Sequence, residues 1–288
     1  VPSTREIRRR IRSVRNTAQI TKAMELVAAA RMRRAQQRVL ASRPYAERMR
    51  AMLADLAQLA QGSVDGAYPL LASRPVRRAQ VILITPDRGL CGSLPSNIIR
   101  RATRFVLDEA GAPTQFVTVG RKGRDFMRRY GREIEAEFIG LGDAPGYLDI
   151  APITRIAIDD FERGAVDAVY LVYARFISTL MQRPEVIKVL PVEPPSEPSG
   201  RYSEFIFEPS PQQVLNYLLP RFVEVQIYQA VLDSIASEQS ARMVAMRNAT
   251  DNANGLIKDL TLTYNKVRQA GITKEILEIA AGANALQG

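Results

Sequence analysis

The sequence predicts an α/β protein in which long helices at the two ends of the chain pair as an antiparallel coiled coil and the residues between them fold as a small α/β domain. Three observations predict it. The C-terminal run, residues 209–288, has no proline after Pro220, and its only glycines before the terminal Gly288 are Gly255, Gly271 and Gly282. Along it apolar or small residues recur at alternating steps of three and four: Val225, Tyr228, Leu232, Ile235, then Met246, Ala249, Ala253, Leu256, Leu260 and Val267. That spacing belongs to a helix wound on a partner. Residues 3–41 carry a second such stripe, whereas residues 76–208 alternate β-branched runs with helical patterns, as a parallel or mostly parallel sheet requires. A helix of roughly 70 residues would be about 105 Å long. It is expected to protrude from any compact body, with a partner inside the chain and others outside it.

The first segment, residues 1–75, is read as the N-terminal helix and its connector. Ser3 or Thr4 can cap the helix, and Glu6 stands in the first turn against the positive end of the helix dipole. Ile7, Ile11, Val14 and Ala18 repeat at four and three, and Ile20, Met24 and Val27 are expected to continue the apolar face, slightly rotated. Pro44 lacks an N–H and is expected to kink the helix or restart it. Tyr45, Met49, Met52, Leu53, Leu56 and Leu59 then carry the stripe to about residue 60. Residues 61–75, with two glycines and two prolines, read as a connector.

The middle segment, residues 76–208, changes character. Val81-Ile82-Leu83-Ile84, Phe116-Val117-Thr118-Val119, residues 166–176 and residues 186–190 read as strands. Helical patterns cover residues 93–109, 121–130 and 150–162. The alternation is Rossmann-like. Residues 191–200 hold four prolines and read as a loop, and Phe205-Ile206-Phe207 is expected to be a short last strand before the C-terminal segment, residues 209–288. Within that segment Gln239 and Arg242 fall on the heptad positions, a polar interruption of the seam; such residues cost stability and commonly fix register or partner.

Composition removes several classes of function. The chain of 288 residues contains no histidine, no tryptophan and one cysteine, Cys91. Triads, metal sites and general bases built on histidine are therefore excluded, as is an internal disulfide. No run of 18 apolar residues is present, so no membrane-spanning helix is expected. The basic N-terminus has no apolar stretch of the kind a secretory signal carries. The net charge of +10 is concentrated at one end: residues 1–50 hold 14 Lys+Arg against 3 Asp+Glu, and the rest hold 26 against 27. Such asymmetry points to an acidic or polyanionic partner, or to a solvated helix face.

The loop Thr85-Pro86-Asp87-Arg88-Gly89-Leu90-Cys91-Gly92-Ser93 follows the first strand, where α/β folds bind ligands. It matches neither common glycine-rich phosphate motif. Cys91 has no histidine to activate it, although a helix N-terminus can lower a thiol pKa. Gly120-Arg121-Lys122-Gly123 is a second, weaker phosphate candidate. No carboxylate pair stands out as an acid/base couple. No catalytic residue, metal ligand or cofactor site is assigned.

Particular stretches resemble the gamma-subunit family of F-type ATP synthases. They are Ile20-Thr21-Lys22-Ala23-Met24-Glu25-Leu26-Val27-Ala28, Ser42-Arg43-Pro44-Tyr45-Ala46, Asp87-Arg88-Gly89-Leu90-Cys91-Gly92, Glu208-Pro209, and Ala236-Ser237-Glu238-Gln239-Ser240-Ala241-Arg242-Met243-Val244-Ala245-Met246. Ala249-Thr250-Asp251-Asn252-Ala253 and the run from Tyr264-Asn265-Lys266-Val267-Arg268-Gln269 through Ile272-Thr273-Lys274-Glu275-Ile276 complete a collinear match over the whole chain. Where the family often has tyrosines before Glu208, this chain has Phe205 and Phe207. The cysteine-bearing insert of the chloroplast form is absent and no transit peptide is expected, a pairing that favours a bacterial chain over a processed mitochondrial one.

The resemblance implies a non-catalytic central rotor shaft without cofactors. Its paired helices would stand inside three alpha and three beta subunits, and its foot would rest with epsilon on the membrane c-ring, at the cytoplasmic face of a plasma membrane or the matrix side of a mitochondrial one. It implies that Lys22, Met24, Arg88, Gln239, Arg242, Arg268, Gln269, Thr273 and Glu275 face alpha and beta, and that Phe205, Phe207 and Glu208 seat on the c-ring. Residues 272–286, small and apolar nearly all round, would turn in an apolar sleeve. Two readings compete with it. One is a nucleic-acid-binding coiled coil whose basic helix follows phosphates, although no base-stacking aromatics interleave with residues 1–40. The other is an α/β enzyme with a helical stalk.

Overall fold

A computed structural model describes residues 3–60, 68–193, 208 and 210–287. The elements run α1 (Thr4–Ala60), a 3-10 turn (Pro69–Leu71), β1 (Ala79–Ile84), α2 (Leu94–Arg104) continued by a π-helical turn (Phe105–Glu109), β2 (Thr114–Val119), α3 (Arg121–Arg129), β3 (Ile134–Phe138), α4 (Tyr147–Glu162), β4 (Ala168–Phe176), β5 (Gln182–Leu190) and α5 (Pro211–Gln287). The chain divides into two compact units, Val1–Ala28 with Met243–Gly288, and Ala29–Arg242.

The second unit is built on a five-stranded sheet of order β3-β2-β1-β4-β5, with β5 antiparallel to β4 and the other neighbours parallel. Alternate side chains of a strand face opposite sides, and each side has its own core. On one side Ile82, Ile84, Val117, Val119 and Leu171 meet α4 and the parts of α1 and α5 that belong to this unit. On the other side Val81, Leu83, Phe116 and Val172 meet α2 and α3 through Ile98, Ala102 and Met127. The strand Ile134–Phe138 has no counterpart in the sequence reading. It is an edge strand, half-buried apart from exposed Glu135, and two glutamates within five residues hide the apolar alternation. The strand expected at Phe205-Ile206-Phe207 lies outside the described residues.

Helix α1 opens with a capping box: Glu6 N–H donates to Ser3 Oγ (3.3 Å), and Ser3 N–H to the Glu6 carboxylate (3.1 Å). Of the two outcomes expected at Pro44, a restart does not occur: one helix runs from Thr4 to Ala60 with Pro44 inside. An interior proline costs about 3 kcal/mol. Met49, Leu53 and Leu56 beyond it are all buried, and each fully buried side chain of this size returns about 1.5–3 kcal/mol.

The first unit is an antiparallel helix pair. Arg8 Nη2 meets the Tyr264 hydroxyl (2.5 Å), Thr21 meets Thr250 (2.7 Å), and Arg247 Nε meets Glu25 (3.1 Å), so the partner number falls as the α1 number rises. The face that α1 buries differs from the apolar reading. Ile20 and Val27 are 60% and 51% exposed, and Met24 is half-buried. The buried positions are instead Ala18, Thr21, Glu25, Ala28, Met32, Ala35 and Val39, an unbroken alternation of three and four. In α5 the buried or half-buried face runs Met246, Thr250, Ala253, Ile257, Leu260, Tyr264 and Val267, while Leu256 is exposed. The heptad spacing holds, but polar residues occupy some of its positions, and the apolar letters beside them do not face inward.

Candidate functional site

Most of the polar side chains of α5 that make long-range contacts within the second unit gather in one stretch, residues 237–242, against loops at the carboxyl ends of the parallel strands. Ser237 Oγ donates to the Ala174 carbonyl (3.0 Å) at the end of β4, and Ser240 Oγ to the Thr179 carbonyl (2.6 Å) in the turn that follows. Gln239 Nε2 donates to Asp143 Oδ1 (2.8 Å) in the loop after β3. Arg242 donates to Glu238 (2.7 Å) and to the Gly89 carbonyl (3.2 Å) in the loop after β1. These loops leave the carboxyl ends of parallel strands, the place where open α/β sheets take their ligands. Here the protein's own helix makes the polar contacts.

The neighbouring candidates for phosphate are also used internally. The N–H groups of Arg121, Lys122 and Gly123 donate to Asp87 Oδ1, the Pro86 carbonyl and Thr85 Oγ1 respectively. Gly120 has φ +95°, and a Cβ there would fall 1.8 Å from the Thr85 carbonyl oxygen. Only glycine permits this closeness of the loops after β1 and β2. Asp87 also accepts from Gly140 N–H (2.9 Å), so one carboxylate ties three loops together. Leu90 holds φ 64° beside the Gly89 carbonyl that Arg242 binds.

Cys91 is buried. Burial pushes its thiol pKa up and nearby Glu238 adds to the rise, against Arg242, so the lowering that a helix N-terminus can supply is not found. Burial likewise raises the Glu238 carboxyl; Arg242 opposes it, and Asp143 and Asp87 reinforce it. In the first unit Glu25 moves the other way: the Lys22 ammonium holds it below the usual carboxylate range, with Arg247 adding to that and burial opposing both.

The residues expected to face other subunits fall into three groups. Lys22, Arg88, Arg268, Gln269, Thr273, Glu275 and Glu208 are exposed, and Met24 is half-buried beside exposed Ile20, Leu26 and Val27. Gln239 and Arg242 are not at the surface in that sense. Gln239 is 2% exposed with its amide on Asp143, and the guanidinium of Arg242 is engaged by Glu238 and Gly89. Phe205 and Phe207 lie outside the described residues. The far end of α5 has no cover from α1: every residue from 268 to 282 is exposed, including Ile272, Ile276, Leu277 and Ile279. Arg8 and Arg268 both approach the Tyr264 ring, at 5.4 and 6.0 Å from its centroid.

Sequence reasoning missed Asp143, whose carboxylate takes one bond from Gln239 of α5 and another from Arg31 of α1 (2.5 Å). It lies in Gly140-Leu141-Gly142-Asp143-Ala144-Pro145-Gly146, which reads as an ordinary turn. It also missed Thr21, Glu25 and Thr250, whose signal was heptad position alone, and Arg247, which is exposed beside the repeat and gave none.

Comparison with known proteins places the chain among rotary-enzyme subunits. The family model described as ATP synthase matches residues 3–286. The ATP synthase gamma chain of Roseiflexus castenholzii is 55% identical over 289 positions, covering 99% of each chain. A chain in the structure of the Tetrahymena thermophila mitochondrial ATP synthase central stalk and c-ring superposes with a TM-score of 0.62 at 25% identity, over 80% of this chain and 99% of that one. A chain of the Euglena gracilis mitochondrial ATP synthase shares the fold with a TM-score of 0.69 at 20% identity, over 98% and 94%.

Proposed function

The chain belongs to the family of ATP synthase gamma chains, and on that premise we propose that it is the central rotor shaft of an F-type ATP synthase, coupling proton flow through the membrane ring to ATP synthesis and hydrolysis on the beta subunits. The observation that carries the reading is the antiparallel pair of α1 and α5, tied at Arg8–Tyr264, Thr21–Thr250 and Glu25–Arg247, with an exposed helical end beyond it. A turning shaft needs a helix pair that keeps its register under load. It also needs a surface beyond that pair for other subunits to enclose.

The chain is non-catalytic in this reading. Residues 1–75 and 209–288 supply the shaft, and residues 76–208 the foot. Its partners are three alpha and three beta subunits, epsilon and the c-ring. Lys22, Met24, Arg88, Arg268, Gln269, Thr273 and Glu275 meet alpha and beta, while Gln239 and Arg242 act from inside by holding α5 to the loops after β3 and β1. Glu208, with Phe205 and Phe207, meets the c-ring. No described helix is long and apolar enough to cross a membrane; attachment at the cytoplasmic face of a bacterial plasma membrane runs through the complex. The basic surface of α1 then serves protein partners rather than nucleic acid.

Co-purification tests this. The chain is expected to leave the cell with alpha, beta and epsilon subunits, and the assembly to hydrolyse ATP with rotation of a probe fixed to the foot. A chain that purifies alone and adds nothing to a reconstituted alpha–beta assembly would sink the proposal.

A further inference from the structure

We infer that residues 237–242 of α5, with Asp143 and Arg31, form a torque clamp within the second unit: the joint at which load passes between the sheet and the parts of α1 and α5 that belong to this unit. The inference rests on the shaft reading above. Within the second unit α5 meets its surroundings in two chemically different ways. From Leu215 to Ala236 the buried contacts are largely apolar, through Leu219, Val223, Ile227 and Val231. Apolar burial is non-directional, and it holds a helix against a surface more firmly than it fixes the angle of rotation about the helix axis. From 237 to 242 the contacts become directional, because a hydrogen bond weakens steeply once donor and acceptor turn out of line.

The bonds are arranged as a clamp requires. Ser237 reaches the end of β4, Ser240 the turn after it, Gln239 the loop after β3, and Arg242 the loop after β1. Rotation of α5 about its axis therefore stretches bonds to three separate strand ends at once. Gln182 Nε2 adds a further contact to Ser240 Oγ (3.4 Å). Asp143 brings in the second helix: Oδ1 accepts from Gln239 of α5 and Oδ2 from Arg31 of α1. A single loop residue thus ties the parts of both helices that belong to this unit to the sheet. The loops it acts through are themselves cross-tied by Asp87, which accepts from Arg121 N–H and Gly140 N–H. Asp143, Ser237 and Ser240 are thus positioning residues, acting on the coupling reaction through the helices they hold.

The test uses the full enzyme reconstituted in vesicles and as single molecules. Asp143→Ala combined with Ser240→Ala removes the bonds to Arg31, Gln239, Thr179 and Gln182. With the catalytic sector stalled, the angular variance of a probe on the foot is expected to rise by about twofold or more as these directional ties are lost, and protons pumped per ATP to fall under load. ATP hydrolysis by the detached catalytic sector is expected to keep its parental rate, which a general loss of folding would not allow. Asp143→Ala alone, at an exposed loop position, gives the same readout if the double variant fails to assemble. A variance and a pumping ratio equal to the parent's in Asp143→Ala would overturn the clamp. Failure of the shaft reading appears separately, as absence of rotation in the unmodified enzyme.

Discussion

Thr21 and Thr250 face each other across the antiparallel helix pair, hydroxyl to hydroxyl, at 2.7 Å. Each hydroxyl also lies within reach of a carbonyl of its own helix, Thr21 at 3.1 Å from Ala18 and Thr250 at 2.9 Å from Met246. Two protons serve three contacts, so at any moment one threonine donates across and the other donates back. The pair is satisfied in either direction.

That redundancy predicts non-additive substitutions. Thr250→Val alone is expected to cost about 0.5–1.5 kcal/mol, and Thr21→Val a similar amount. The double valine variant should cost less than the sum, because no buried hydroxyl is left behind. A double-mutant cycle in urea is the measurement; strict additivity would show that the cross-helix bond contributes nothing.

Glu25 is buried between Lys22 and Arg247, and its carboxyl is held below the ordinary value by the Lys22 ammonium first and Arg247 after it. A depressed carboxyl contributes stability that is present above its unfolded value and lost as pH falls through the folded one. Glu25→Gln is expected to cost about 1–3 kcal/mol at neutral pH, and the difference from the parent should shrink as the solution is acidified. Urea midpoints across the acid range check it.

Glu238 titrates with the opposite sign, because burial raises its carboxyl above the ordinary value. Its contribution is fully present below the unfolded value and lost as pH rises through the folded one. The stability advantage of the parent over Glu238→Gln should therefore narrow with rising pH, where that for Glu25→Gln widens. Parallel pH profiles for the two variants would contradict the assignment of burial as the dominant cause at Glu238.

Gly120 admits no side chain. An alanine Cβ would meet the Thr85 backbone oxygen at 1.8 Å, and φ +95° is unfavourable for any L residue with a Cβ. Gly120→Ala is expected to cost about 3 kcal/mol or more from strain and overpacking together, measured by chemical denaturation. Gly255→Ala, where a Cβ meets nothing within 4 Å, is the helix control and should stabilise by about 0.5–1 kcal/mol.

At the uncovered end of α5, Arg268 and Gln269 offer directional bonds, whereas the residues beyond are mainly apolar and small. Charge-assisted bonds contribute about 1.5–3 kcal/mol each, so Arg268→Leu with Gln269→Leu should impair assembly or turnover. Truncation after Ala280 should leave most ATPase activity. An essential tip with dispensable Arg268 and Gln269 would reverse these roles.

The sequence by itself determined the two long helices, their coiled-coil spacing and the buried strands. Those features depend on local periodicity: Ala18 and Ala28 keep their step in α1 whatever lies opposite, and Val81-Ile82-Leu83-Ile84 is strand-like on its own. Tertiary structure alone decided which letters fill the repeat. Thr21 and Glu25 point inward because Thr250 and Arg247 meet them, and a polar residue can occupy a seam only when a partner on the other helix satisfies it. Pro44 stays within its helix because Met49, Leu53 and Leu56 find a core. Gln239 reads as a surface donor until Asp143, nearly a hundred residues earlier in the chain, is brought to it. Periodicity is a property of one segment, whereas the satisfaction of a buried polar group depends on two, and only folding brings the second into place.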